Sequence, residues 1–125
     1  MTENAPNPLQ VGFSPCPNDT FMFHDLVHGE GGEAILAVME DIESLNLRAV
    51  GGAAELPVTK LSVAALGRCV QRYRVLDAGA ALGRGVGPLV VGRVGEVNEV
   101  GLEQLAGRRV AVPGENTTAN LLLRS

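Results

Sequence analysis

Three segments of the chain place hydroxyl, amide or amine side chains at a turn between a short apolar run and a helix-like pattern. They span Val11–Thr20, Val58–Ser62 and Val110–Thr118. A turn that leads from a strand into a helix start leaves backbone N–H groups free, and such groups suit an anion. Together with the nearby polar side chains, they predict a site for a carboxylate or polyhydroxyl ligand. The candidate ligand-binding side chains are those of Lys60, Ser62, Thr117 and Thr118.

Each of these residues also has an ordinary structural interpretation. Ser, Thr and Asn are the residues most often found as N-caps, so any one of them can serve only to begin a helix. Lys60 interrupts an apolar strand, and a lysine at a strand end commonly faces solvent. The alternative for Lys60 is a cleft position in which it pairs with an anionic ligand. The sequence leaves both interpretations open.

Two other groups of side chains suggest chemistry less strongly. Glu40, Asp41 and Glu43 form an acidic run that resembles a paired-carboxylate site, but acidic residues are favoured at any helix start by the helix dipole. His24 and His28 have the spacing of two metal ligands on one helix face. Because no third ligand is placed by the sequence, we expect no metal site.

The two cysteines and a glycine-rich segment have simple interpretations. Cys16 and Cys69 do not form a disulfide framework. Cys16 follows a proline beside a predicted helix start, so it is either a small turn-packing residue or a thiol made more acidic by its position. The segment Gly83–Gly87 lacks the G-x-G-x-x-G spacing and leads toward a strand, which argues against a dinucleotide loop.

The composition excludes several classes of protein. With 125 residues, of which 46% are hydrophobic, the chain can fill one ordinary core. Its 10 basic residues do not cluster and are outnumbered by 14 acidic ones, so we expect no nucleic-acid partner. No apolar run approaches the roughly 20 residues that span a bilayer, and the N-terminus lacks the features of a signal peptide. We therefore expect a cytoplasmic protein without membrane association.

Strand-like and helix-like segments alternate along the chain, which predicts an α/β fold with a largely parallel sheet. Strands are predicted at Leu9–Phe13, Ala34–Met39, Leu56–Leu61, Val75–Leu82, Pro88–Val91 and Arg109–Val112. Helices are predicted after caps at Asn18 or Asp19, at Asp41, at Ser62 and near Thr118, with a brief helical turn at Leu102–Leu105. The first helix is expected to end at His28 with Gly29 as its stop, and the second at Gly51 and Gly52. Because the last helix ends on three leucines without a cap, we expect a fragment of a longer protein.

Several ungapped motifs in order resemble one enzyme family. They are SPCPNDTF with LVHG, EDIESLN, LPVTKLS, GAALGRGVGPLVV and RVAVPGENTTAN, which cover nearly the whole chain. The chain resembles the 1,4-dihydroxy-6-naphthoate synthases of the futalosine route to menaquinone. The resemblance implies a type II periplasmic-binding-protein-like fold, in which two α/β lobes enclose a cleft. Residues 1–95 would then form most of the first lobe, and residues 96–125 the start of the second.

The resemblance also implies an activity and the residues that support it. Members of the family are lyases that convert cyclic dehypoxanthine futalosine to 1,4-dihydroxy-6-naphthoate, with no metal or organic cofactor. Carried onto this sequence, the motifs place Lys60, Leu61 and Ser62 on one side of the substrate cleft, Thr117 and Thr118 on the other, and Asn18 as a further candidate. The general base is expected to be a histidine beyond Ser125, so the fragment itself should be inactive. We expect no obligate protein partner.

Two other classes remain open from the sequence. A solute-binding protein of the same fold would bind a small carboxylate without chemistry, although the absent secretion signal argues against it. A purely structural α/β domain would bind no ligand.

Overall fold

The chain folds around a small parallel β-sheet. The computed structural model describes residues 7–29, 34–52, 56–93 and 102–125. Strand β1 (Leu9–Phe13) lies between β2 (Ile35–Met39) and β3 (Val58–Thr59), and both pairings are parallel. All five residues of β1 pair with β2, whereas β3 pairs with β1 only through Val58 and Thr59. The predicted α/β fold with a parallel sheet is confirmed.

Helices follow each strand, as the alternation of patterns predicts. They are α1 (Pro17–Met22), α2 (His24–His28), α3 (Ile42–Gly51), α4 (Val63–Cys69) and α5 (Thr118–Arg124), with a 3₁₀ turn at Leu102–Leu105. Parallel strands need crossover connections, and α1 with α2 and then α3 supply the two that join β1, β2 and β3. The carboxyl ends of all three strands therefore lie at one edge of the sheet.

Both faces of the central strand are covered. On one face, the ring of Phe13 stacks on that of Phe23, with ring centroids 4.9 Å apart. On the other face, a Cβ built at Gly12 would lie 2.5 Å from Leu56 Cδ1 and 3.0 Å from Leu45 Cδ2. Only glycine allows these side chains to pack so closely over β1, and the side chain of Leu45 is completely buried there.

Helix α3 has the two ends that its sequence predicts. Asp41 is the N-cap, and its carboxylate accepts hydrogen bonds from the backbone N–H groups of Glu43 and Ser44. Gly52 ends the helix in the left-handed conformation, with a φ of 69°. Hydrogen bonds from the hydroxyl and then the backbone N–H of Ser44 hold the pKa of Asp41 below its ordinary value.

The cap at Asp41 predicts a pH dependence of stability. Because the pKa of Asp41 is lower in the folded state, its contribution is present above the unfolded pKa of about 3.9 and is lost as the pH falls through the folded value. Asp41→Asn keeps an acceptor but cannot titrate. We expect urea midpoints of the wild type and this variant to differ near pH 7 and to converge as the pH falls below the unfolded pKa of about 3.9. A difference between the two midpoints that does not change with pH would contradict the claim that the ionised Asp41 cap stabilises the fold.

The first helical region differs from the prediction. The N-cap is Cys16, whose sulfur accepts the backbone N–H of Asp19, and not Asn18 or Asp19. Pro17 begins the helix at a position where its missing N–H costs nothing. The helix is interrupted at Phe23 and ends at His28, as expected. Gly29 is the C-cap, as predicted, and its backbone there is extended, with a φ of −69°.

Three predicted strands are absent from the described residues. Val75–Leu82, Pro88–Val91 and Arg109–Val112 adopt irregular backbone, and the third predicted strand, Leu56–Leu61, is reduced to β3. Leu89 and Val91 are 85% and 86% exposed, so they are not core residues in this structure. A short apolar run becomes a strand only where a neighbouring strand takes up its backbone hydrogen bonds. In the described structure β3 is the edge of the sheet, and none of these three segments pairs with it. The predicted boundary between residues 95 and 96 lies outside the described residues.

Candidate functional site

Two of the predicted polar residues, Lys60 and Ser62, follow the carboxyl end of β3. Lys60 follows β3 directly, and its backbone N–H donates to the carbonyl oxygen of Gly12 at 2.7 Å. Ser14 and the turn into α1 follow β1. Crevices outside this edge of a parallel sheet are the usual ligand sites of open α/β folds.

Lys60 takes part in a largely buried ion pair. Its Nζ lies 3.4 Å from Asp19 Oδ1, and the two side chains are 18% and 6% exposed. The same ammonium donates to the carbonyl oxygen of Gly79 at 3.4 Å. The other carboxylate oxygen of Asp19 accepts from the backbone N–H and the hydroxyl of Ser14, at 3.0 and 2.7 Å. The interpretation of Lys60 as a solvent-facing lysine is therefore wrong, and one of its three N–H groups has no acceptor among the residues that the structure describes.

Ser62 stands at the start of α4 without capping it through its side chain. Its backbone N–H donates to Asn46 Oδ1 at 2.9 Å, and its hydroxyl oxygen accepts from Asn46 Nδ2 at 3.1 Å. The predicted capping role of this side chain is wrong. Within the described ranges, the hydroxyl hydrogen of Ser62 meets no acceptor, which leaves it free to donate to a ligand.

Thr118 reaches the same helix start from a segment distant in sequence. Its hydroxyl oxygen accepts the backbone N–H of Ala64, in the first turn of α4, at 3.4 Å. No acceptor for the hydroxyl hydrogen of Thr118 is found in the described part of the chain. The structure thus brings Ser62 and Thr118 to the start of α4.

The remaining predicted residues are placed differently. Thr117 is the N-cap of α5, and its hydroxyl both donates to Gly114 O, at 2.8 Å, and accepts from Asn120 N. Its capping interpretation is correct, and the one hydrogen of that hydroxyl is already donated within the chain. Asn18 is exposed on α1, one residue before the Asp19 carboxylate, and Leu61 is half-buried between Lys60 and Ser62.

A polar network that sequence reasoning missed joins these elements. Asn46 is fully buried and Asn116 is 5% exposed. Glu43 accepts from the backbone and side chain of Asn116, and Arg68 donates to Asn116 Oδ1. Glu43 and Asn46 share one face of α3, but no local pattern indicates that their partners lie 73 and 70 residues away.

The other groups suggested by the sequence do not form sites. Glu40 pairs with Arg48 at 3.2 Å, so the three acidic residues of this run have separate partners and do not form a paired-carboxylate site. His24 contacts the neighbouring Asp25 on an exposed helix. Among the described residues, no three His, Cys, Asp or Glu side chains are grouped so that they could hold a metal ion. The sulfur of Cys16 serves as a helix cap.

A cleft of about 380 Å³ lies elsewhere, beside α5. It is lined by Leu105, Arg108, Val110, Val112, Asn120, Leu123 and Arg124. None of the predicted site residues lines it. Because its two arginines are exposed and it holds no buried polar group without a partner, we assign the candidate site to the sheet edge. No helix in the described ranges has the length and apolar character needed to cross a membrane.

Comparison with known proteins places the chain in a family. The family model for menaquinone biosynthesis matches residues 9–124. This chain belongs to the menaquinone biosynthesis family. Two curated relatives are named 1,4-dihydroxy-6-naphthoate synthase: the protein from Thermus thermophilus is 54% identical over 117 residues, and that from Streptomyces coelicolor is 45% identical over 118 residues. The resemblance identified from the sequence motifs is confirmed.

The match covers most of this chain and a smaller part of its relatives. It spans 92% and 93% of the chain but only 40% and 39% of the two family members. The crystal structure of protein AF1704 from Archaeoglobus fulgidus superimposes with a TM-score of 0.78 at 41% identity, over 92% of this chain and 41% of that one. The chain therefore spans about two fifths of the length of the relatives it matches.

Proposed function

We propose that this chain is part of a lyase that converts cyclic dehypoxanthine futalosine to 1,4-dihydroxy-6-naphthoate. The observation that carries the proposal is the 54% identity, over 117 residues, with a relative named 1,4-dihydroxy-6-naphthoate synthase. The motifs around Lys60, Ser62 and Thr118 lie inside the matched range. A solute-binding role has no comparable support, because both curated relatives are named as enzymes.

We further propose that the site lies in a cleft of a periplasmic-binding-protein-like fold. The strand order β2-β1-β3 in a parallel sheet supports this, since ligands of such sheets bind outside the carboxyl ends of the strands. In this proposal, residues 1–95 belong to one lobe and residues 96–125 to the next. The hydrogen bond between Thr118 and Ala64 supports a role for both segments in one site.

The proposed role of the described residues is to hold the acid group of the substrate. The free N–H of Lys60 and the hydroxyl hydrogens of Ser62 and Thr118 are donors suited to a carboxylate, which the product also carries. Positioned donors of this kind orient a substrate for proton removal. The base that removes the proton is proposed to be a histidine that follows Ser125, so these 125 residues alone are expected to be inactive.

The proposal is tested by turnover with the full-length protein that carries this sequence. We expect the purified protein to convert cyclic dehypoxanthine futalosine to 1,4-dihydroxy-6-naphthoate without added metal or cofactor. The product is followed by liquid chromatography and its absorbance. A folded protein that binds the substrate and leaves it intact would instead indicate a binding protein, and one that does not bind it would indicate a structural domain.

A further inference from the structure

Helix α3 carries two side chains that bind the segment leading into α5, and no motif singles them out. Asn46 is 0% exposed, although an amide side chain is costly to bury without partners. Its Oδ1 accepts the backbone N–H of Ser62, and its Nδ2 donates to the oxygens of Ser62, Asn116 and Glu43 at 3.1 to 3.4 Å. The amide orientation follows from this set, because only an oxygen can accept the N–H of Ser62.

Glu43 binds the same segment at its backbone. Its carboxylate accepts from the backbone N–H of Asn116 at 3.1 and 3.2 Å and from Asn116 Nδ2 at 2.8 Å. A Cβ at Gly114 would lie 2.3 to 2.4 Å from three atoms of the Glu43 side chain. The absence of a side chain at Gly114 is thus what lets the chain lie against the carboxylate.

These contacts fix the position of Thr118 relative to Ser62. Asn116 comes two residues before Thr118, and Arg68 of α4 donates to its Oδ1, so Asn116 is held from α3 and from α4. Asn46 contacts Ser62 and Asn116 at once. Side chains of α3 and α4 therefore hold the relative position of the two hydroxyls.

We propose that Glu43 and Asn46 are positioning residues, which hold the turn of Asn116–Thr118 against the start of α4 and so set the affinity of the site for its acid ligand. The proposal rests on the proposed function for the identity of that ligand. The positioning of the turn is a property of the fold and can be measured without any ligand.

The test uses Glu43→Gln in the full-length protein, with Glu40→Gln as the matched control. A glutamine has one acceptor oxygen, and its NH₂ group would face donors of Asn116, of Asn46 or of both, so at least one hydrogen bond is lost. Glu40 pairs with Arg48 at 3.2 Å, with the two side chains 34% and 30% exposed, and lies just before the same helix. Amide hydrogen exchange is measured by NMR in both variants. We expect the exchange rates of Asn116 and Ala64 to rise about tenfold or more over the wild type in Glu43→Gln and to stay unchanged in Glu40→Gln.

The second measurement is steady-state kinetics with cyclic dehypoxanthine futalosine. We expect kcat/KM of Glu43→Gln to fall about ten- to a hundredfold, mostly through KM, because misplaced donors weaken substrate binding. A merely structural defect would lower the amount of active enzyme and leave KM unchanged. The double variant Glu43→Gln/Asn116→Asp restores an acid–amide pair with the two groups swapped. We expect it to recover most of the lost kcat/KM.

The outcomes separate the two proposals. A wild-type protein that does not turn over the substrate overturns the proposed function, while the exchange rates still decide the positioning role. Unchanged exchange at Asn116 and Ala64, or a KM equal to that of the wild type in an active enzyme, overturns the positioning role alone.

Discussion

Replacing Asp19 by alanine is expected to lower the free energy of unfolding by about 3 kcal/mol, because the change leaves the Lys60 ammonium without its carboxylate in a largely buried position. The same change removes the acceptor of the Ser14 backbone N–H and hydroxyl. Both Ser14 and Asp19 are buried, so water replaces these hydrogen bonds poorly. Chemical denaturation, followed by circular dichroism, measures the effect.

Asp25→Ala is the matched control for Asp19→Ala. Asp25 is a fully exposed aspartate on the neighbouring helix, and its carboxylate pairs with the exposed His24. We expect its replacement to change stability by about 0.5 kcal/mol or less. Equal effects of the two substitutions would show that the pair between Asp19 and Lys60 is solvated and that Lys60 is an ordinary surface lysine.

Ser62→Ala is expected to weaken substrate binding with little loss of stability. A hydroxyl that donates to a charged group contributes about 1.5–3 kcal/mol, which corresponds to roughly a ten- to hundredfold decrease in affinity. The folded state loses little, because the Ser62 side chain makes no cap hydrogen bond and Asn46 Nδ2 keeps its other acceptors. Thr118→Val should act in the same direction.

The matched control for Ser62→Ala is Thr20→Ala. Thr20 also carries a hydroxyl near a helix start, but that hydroxyl donates to the carbonyl oxygens of Cys16 and Pro17. We expect KM for the cyclic substrate to be unchanged in this variant. A Ser62→Ala protein with wild-type KM and a large loss of stability would restore the view that Ser62 serves only the helix.

The elements that could be predicted from the sequence are those specified by local patterns. Strand β1 and helix α3 agree with the prediction. Helix α3 carries a capping aspartate at its start and a left-handed glycine at its end, and both signals depend only on residues a few positions away. The runs at Val75–Leu82 and Pro88–Val91 carry the same apolar character, but they have no neighbouring strand to pair with in the described structure. Apolar composition alone does not supply the backbone partners that a strand requires.

The candidate site shows the same division between local and long-range information. Lys60, Ser62 and Thr118 stand out because polar side chains follow apolar runs, and the structure brings Ser62 and Thr118 to one helix start. The partners of these residues could not be predicted in the same way. Asp19 looks like a helix cap in the sequence, yet its carboxylate turns back to Ser14 and Lys60. Asn46 is indistinguishable from a surface amide until its contact with Asn116 is known.

The central claim is that the start of α4 and the turn before α5 bind the acid ligand together. It is tested most directly by titrating the ¹⁵N-labelled full-length protein with 1,4-dihydroxy-6-naphthoate and following the amide NMR signals. We predict saturable shifts at Lys60, Ser62, Ala64 and Thr118. Shifts confined to the cleft beside α5, at Leu105, Arg108 and Leu123, or no shifts at all, would contradict the account.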